Sequence, residues 1–124
     1  MMTQNRIIAI DQSTSATKAL LFDENCHIVA RSSVDHKQYY PQSGWVEHDA
    51  EEIYNDMVEA IRQVIDHSPL TIDHSEGTAN NAPCSMFHVQ WSIAITNQRE
   101  TAVVWNKKTG QPIANAVVWQ DTRG

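Results

Sequence analysis

The chain has 124 residues, 41% of them hydrophobic, and a formal net charge of -6. That length supports one domain with a real core and little more. The acidic balance excludes nucleic-acid binding, which needs clustered Lys and Arg against a phosphate backbone. Only Cys26 and Cys84 occur, without CxxC spacing, which gives no disulfide framework and fits a reducing cytoplasm.

Met1 to Arg6 are polar and the apolar run that follows stops at Asp11, which predicts neither a signal peptide nor a transmembrane span. Short apolar runs bounded by polar residues predict strands at Ile7–Asp11, Ala19–Asp23 and His27–Ser33, with Glu24-Asn25 turning the second into the third as a meander. Between the first two lies Asp11-Gln12-Ser13-Thr14-Ser15-Ala16-Thr17-Lys18. Such a turn can aim backbone N–H groups and hydroxyls at one anion, with Lys18 adding charge and Asp11 offering an oxygen ligand to Mg²⁺, directly or through water. An ordinary Ser/Thr-rich hairpin turn is the other reading. The loop has neither the GxxxxGK[ST] nor the GxGxxG pattern, and a strand follows where those motifs need a helix.

Tyr39 to Trp45 is irregular, punctuated by Pro41 and Gly44. Its aromatics suit either a sugar-stacking platform or the anchoring of a loop. Asp49 reads as an N-cap with Glu52 at the capping-box position. Helical spacing of Ile53, Met57, Ala60, Ile61, Val64 and Ile65 predicts a helix over 50–66 buried along that stripe, with Glu51, Asn55, Glu59, Arg62 and Asp66 solvated. The polar stretch 67–87 has broken periodicity; His67, His74, Cys84 and His88 fit no zinc-ligand spacing. Val89–Thr96 reads as a central strand. Thr101–Trp105 and Ile113–Gln120 follow as two strands joined by a hairpin loop at Asn106–Gly110, where Gly110 is free to take positive φ. At the exit of Val89–Thr96 stand Arg99 and Glu100. A rigid fork of donors beside an acceptor suits a small polyhydroxylated ligand, although a surface ion pair has the same composition.

Four blocks, in order, resemble the FGGY carbohydrate kinases, the glycerol-phosphorylating members most closely. They are Ile10-Asp11-Gln12-x-Thr14, Tyr40-Pro41-Gln42-x-Gly44-Trp45-Val46-Glu47-His48-Asp49, Ile95-Thr96-Asn97-Gln98-Arg99-Glu100-Thr101 and Val117-Val118-Trp119-Gln120-Asp121-x-Arg123. The resemblance implies an α/β fold, the first part of an actin-like ATPase, ribonuclease-H-like domain with a mixed sheet and flanking helix. It also implies that residues 1–124 are a partial N-terminal domain without its second domain, with 67–88 a flexible insertion. The implied chemistry is ATP-dependent phosphorylation of a small polyol or sugar. Glycerol comes first, with xylulose, ribulose or an alditol as alternatives; a non-catalytic binding or assembly module on the same scaffold is a further one.

Residue by residue, the resemblance implies that Asp11 organises Mg²⁺ through water and that Ser13, Thr14, Ser15 and Lys18 meet the ATP phosphates. Arg99 and Glu100 would hold the substrate's hydroxyls, and Trp119 would pack against its carbon skeleton unless it is a plain core tryptophan. The proton-accepting base and the adenine pocket would come from beyond these residues, leaving this piece inactive alone. Two departures stand out: Ser13 where the family usually has glycine, and Lys18 where it usually has arginine, a bidentate donor replaced by a point charge. A partial domain would leave sheet edges and an apolar face uncovered, which predicts self-association.

Overall fold

The computed structural model describes residues 3–68 and 88–123. A meander opens the chain: β1 (Thr3–Gln12), β2 (Ala16–Phe22) and β3 (Ile28–Asp35), each antiparallel to the one before. The turn from β2 to β3 is tied by the Asp23 carboxylate, which accepts from the Asn25 and His27 amides. Cys26 takes a left-handed conformation there, at φ 64. α1 (Ala50–Asp66) follows, and β5 (His88–Thr96) then lies parallel to β1, giving the sheet order β3-β2-β1-β5. A second, two-stranded sheet pairs β4 (Glu47–His48) with β6 (Ala116–Val117).

The helix bounds agree with the periodicity, and so does the cap: the Asp49 carboxylate accepts from the Glu51 and Glu52 amides at 2.8 and 3.3 Å. The capping box is not completed. Glu52 instead takes the Tyr39 hydroxyl, at 2.8 Å, which anchors the irregular 39–45 loop to the first helical turn. Ala60 and Val64 are fully buried against Ile8, Ile10, Ala19 and Leu21, with Met57 and Ile61 packed around them. Ile65, placed on the same stripe by its spacing, is 41% exposed, one residue before α1 ends.

Two strand expectations need correction. β5 is an edge strand among the described residues, not a central one. Its register puts Trp91, Ile93 and Ile95 opposite Arg6, Ile8 and Ile10, hence on the face that α1 covers elsewhere. α1 packs over β2 and β3 and does not reach them, so Ile93 and Ile95 are 56% and 57% exposed. Apolar alternation reports that a face is meant for burial; it does not count a strand's neighbours. The expected hairpin arms, for their part, reduce to the bridges Ala102–Val117 and Trp105–Pro112 and the short β6. The second arm has two more residues between these bridges than the first, so the ladder cannot stay in register. Its turn forms as expected, with Gly110 at φ 75. Of the insertion expected at 67–88, residues 69–87 lie outside the described residues.

The blocks around Trp45 and Asp121, far apart in sequence, are clasped together. Buried Asp121 accepts from the Val46 amide at 2.7 Å and from Arg123 through both oxygens, Nε to Oδ1 at 2.9 Å and Nη2 to Oδ2 at 2.6 Å. The Arg123 guanidinium beside it holds the Asp121 carboxyl well below the usual carboxylate range. Arg123 also donates to Glu47 at 2.8 Å and lies 3.6 Å from the Trp45 ring centroid, a cation–π contact. Gly44 sits at φ 82, where its carbonyl accepts from the Thr122 amide and hydroxyl; a Cβ there would come within 2.7 Å of Thr122 Oγ1.

Removing the helix cap by Asp49→Ala should cost about 1 kcal/mol in denaturant unfolding of the intact protein. His48 is fully buried with neither ring nitrogen hydrogen-bonded to described residues, and burial followed by the neighbouring His36 lowers its pKa below 6.5. The unfolded chain therefore binds a proton near that value which the folded chain refuses. Its contribution is present above that pH and lost as pH falls. Stability should fall as pH drops through the ordinary histidine range, about 6.5, and a His48→Phe variant should show a flatter profile by thermal melts.

Candidate functional site

β1 and β5 run side by side in one direction, so the segments that follow them leave the sheet at a common margin. Asp11 stands opposite Thr96 at the end of the register, and the Thr96 hydroxyl donates to Asp11 Oδ1 at 3.2 Å. The turn at Ser13–Ser15 and the loop carrying Arg99 and Glu100 therefore share one border. Lys18 is the cross-strand partner of Asp11 on β2. Since partners point the same way, Asp11, Lys18 and Thr96 present their side chains on the face away from α1, all exposed.

The turn itself is tied inward by its carbonyls. Ala16 O accepts both the Ser13 amide, at 3.0 Å, and the Ser13 hydroxyl, at 2.8 Å. Ser15 O accepts the His36 amide at 2.8 Å, and Thr14 O accepts Gln38 Nε2 at 3.5 Å. The amides of Thr14 and Ser15 donate to no protein acceptor among the described residues. Successive amides left without protein partners beside tied carbonyls are the elements from which an anion-binding concavity can be built. Ser13 is not among the residues with positive φ, so the serine carries no backbone strain where glycine is usual. Its hydroxyl is engaged within the turn and shapes the loop instead of facing outward.

Trp119 reaches this turn: its indole Nε1–H donates to Thr14 Oγ1 at 2.9 Å, and the ring stays 52% exposed. It is thus not a core tryptophan. The clasp at Asp121 seats it, together with buried Val118 one residue before. Glu100 lies two residues before Ala102, and Trp119 two residues after Val117. The Ala102–Val117 bridge, closed by bonds of 2.9 and 3.0 Å, therefore holds both at one end of the pairing. Glu100 is at φ 63, a strained setting for a side chain of that size, and Gln98 Nε2 spans the loop to Thr101 Oγ1 at 2.7 Å. Among the described residues Arg99 and Glu100 belong to no ion pair, with each other or otherwise.

Sequence reasoning missed the layer beneath the turn. Thr17, fully buried on β2, lies 3.0 Å from His36 Nε2, and His36 Nδ1 lies 3.0 Å from Asp56 Oδ2 on α1. Gln12 Nε2 donates to Thr17 Oγ1 at 3.5 Å. The available signal was the period-two pattern itself: Gln12 and Thr17 occupy inward positions in line with Ile8, Ile10, Ala19 and Leu21. A polar residue on an inward face needs a partner.

Residues 6–124 match the N-terminal domain of the FGGY family of carbohydrate kinases. The chain is 50% identical over 121 residues to glycerol kinase 1 of Thermotoga maritima, covering 95% of this chain and 21% of that protein. It is 45% identical over 117 residues to a glycerol kinase of Pseudarthrobacter chlorophenolicus, covering 94% and 20%. The crystal structure of Plasmodium falciparum glycerol kinase with ADP superposes with a TM-score of 0.70 at 38% identity, covering 98% of this chain and 21% of that one. A xylulose-type kinase of Brucella ovis, at 22% identity and a TM-score of 0.73 over 95% and 22% of the two chains, shares the fold. The chain spans about a fifth of the length of the curated relatives it matches. With its meander, crossover helix and parallel β5 in the actin-like ATPase arrangement, the chain belongs to the FGGY family of carbohydrate kinases, in the N-terminal domain of that family.

Proposed function

We propose that this chain supplies the phosphate-binding turn and part of the polyol-binding wall of a cytoplasmic, ATP- and Mg²⁺-dependent kinase that converts glycerol to glycerol 3-phosphate. The observation that carries the reading is the shared border of the Ser13–Ser15 turn and the Arg99–Glu100 loop, with Trp119 hydrogen-bonded to Thr14 of that turn. The names of the relatives, glycerol kinases at 45% and 50% identity, favour glycerol over a pentose. Among the described residues no helix is long and apolar enough to cross a membrane.

The residues present suit the nucleotide's phosphates. The Thr14 and Ser15 amides are free to donate, Lys18 adds a cation on the same margin, and the Asp11 carboxylate offers oxygen to Mg²⁺ through water. ATP, when bound, supplies the phosphoryl group. The protein's own part is to orient the reactants and neutralise charge. Arg99 donates to substrate hydroxyls and Glu100 accepts from them; the left-handed backbone at Glu100 turns adjacent residues toward one small ligand. The half-exposed indole of Trp119 offers an apolar face to the carbons between those hydroxyls. A deoxy analogue would strand the charged pair, which is the basis for selectivity.

In the intact protein, Arg99→Ala and Glu100→Ala should each lower kcat/KM for glycerol by about a hundredfold or more, the loss of charge-assisted hydrogen bonds, and leave ADP binding intact. Calorimetry beside a coupled phosphorylation assay checks this; parallel loss of ADP binding would count against the assignment. The uncovered apolar row Trp91, Ile93 and Ile95 on β5 supports self-association of the 124-residue chain. Light scattering across a concentration series should show mass rising above the monomer, and Ile93→Lys should suppress that rise.

A further inference from the structure

We propose that His36 is a positioning residue for the phosphate-binding turn, with Asp56 orienting its ring; the inference rests on reading that turn as the phosphate cradle. His36 touches the turn and its flank by two routes, its backbone amide to Ser15 O at 2.8 Å and its Nε2 to Thr17 Oγ1 at 3.0 Å. The backbone bond would form with most residues at this position; the bond to Thr17 needs the ring. Its side chain is 1% exposed, so water cannot replace these bonds.

The direction of the chain is set from the helix. An ionised carboxylate only accepts, so Asp56 Oδ2 at 3.0 Å requires the proton on Nδ1. In the neutral ring Nε2 then has only a lone pair, and the Thr17 hydroxyl donates to it. That leaves the lone pairs of Thr17 Oγ1 to accept from Gln12 Nε2 at 3.5 Å. One tautomer thus satisfies a chain running from α1 through β2 to the end of β1, the strand that carries Asp11. Losing Asp56 frees the other tautomer, in which Nε2–H would point at Thr17 and reverse its hydroxyl. His48 offers no substitute anchor: its ring centroid is 6.0 Å from that of His36 and its nitrogens hydrogen-bond to neither His36 nor the turn.

What the relay holds is the exit of the turn. With Ser15 O held by the His36 amide and Thr17 Oγ1 by its ring, the residues that follow Thr14 are tied at two points, which limits how far the segment bearing the Thr14 and Ser15 amides can shift. A loosened turn must be ordered again by each incoming nucleotide, which weakens nucleotide binding and leaves the polyol wall on the 97–101 loop alone.

The test uses the intact protein and compares wild type with His36→Ala, Asp56→Ala and His36→Gln. Both alanine variants should raise the Kd for ADP and the KM for MgATP about tenfold, the scale of one lost buried hydrogen bond, with the polyol KM within about twofold of wild type. His36→Gln, which restores a partner for Thr17, should recover most of that loss. Imidazole nitrogen NMR should report the Nδ1-protonated tautomer in wild type and its redistribution in Asp56→Ala. Should His36→Ala fail to fold, Asp56→Ala still decides, since Asp56 lies at the rim with 25% of its side chain exposed. An unchanged ADP affinity in Asp56→Ala, or equal losses for nucleotide and polyol, overturns the positioning role. A wild-type protein that phosphorylates glycerol while Asp56→Ala binds ADP normally would sink this inference alone; a wild type that binds no ADP would sink the kinase reading with it.

Discussion

Parallel pairing of β1 with β5 is the constraint on which the rest of this structure depends. Two parallel strands cannot be joined by a tight turn, so the chain must travel from one edge of the sheet to the other before it can lay β5 beside β1. It does so through the meander, which carries β3 to the far edge, and through α1, which lies across β2 and β3 on the way back. The reward is geometric. Strands that point the same way deliver their C-terminal ends to one margin, and ligand sites of open α/β sheets form outside such ends. A hairpin partner in place of β5 would have sent the Arg99–Glu100 loop to the opposite end of the sheet.

The same pairing ties the site to the core. Side chains alternate faces along a strand, so a slip of one residue would move Ile8 and Ile10 out from under α1 and turn Asp11 inward. Burial of Ile8, Ile10, Ala19 and Leu21 therefore fixes more than stability. It holds Asp11 and Lys18 on the outer face and sends Gln12 and Thr17 inward, where they need hydrogen-bond partners. The polar layer under the turn follows from the apolar register above it. A second device, the Asp121–Arg123 clasp, does for Trp119 what the register does for Asp11: buried charge-assisted bonds determine where an exposed ring stands.

Where periodicity ran long and caps were present, the sequence was readable. α1 occupies the predicted span because its apolar stripe and Asp49 agree. Element order was legible for the same reason. Less legible was anything set by tertiary context. Ile65 has the right spacing but stays exposed, and Glu52 has the right offset for a capping box yet finds the Tyr39 hydroxyl instead. The short ladder of β6 could not be read from β-propensity, because propensity does not register two surplus residues between bridges. The candidate site was visible as four motif blocks, and their meeting at one border required the parallel register. Neither His36 nor Asp56 falls in any block, and nothing local marks them; only a fold that stacks α1 under the turn makes them neighbours.

Ser13 and Lys18, the two departures from the family pattern, have different physical consequences here. Glycine is required where φ turns positive, and Ser13 is not at such a φ. Its hydroxyl adds a 2.8 Å bond across the turn to Ala16 O, so the substitution exchanges backbone freedom for local order. Lys18 keeps the sign of the charge and the face, opposite Asp11, but not the planar fork. A point charge on a flexible stem can follow a phosphate without fixing its orientation. On the phosphate-cradle reading proposed above, orientation would come from the amides of Thr14 and Ser15, which have no protein acceptor among the described residues. On that reading, the weaker the cation's geometric hold, the more recognition would rest on the backbone of three residues and on the buried side chains packed beneath it.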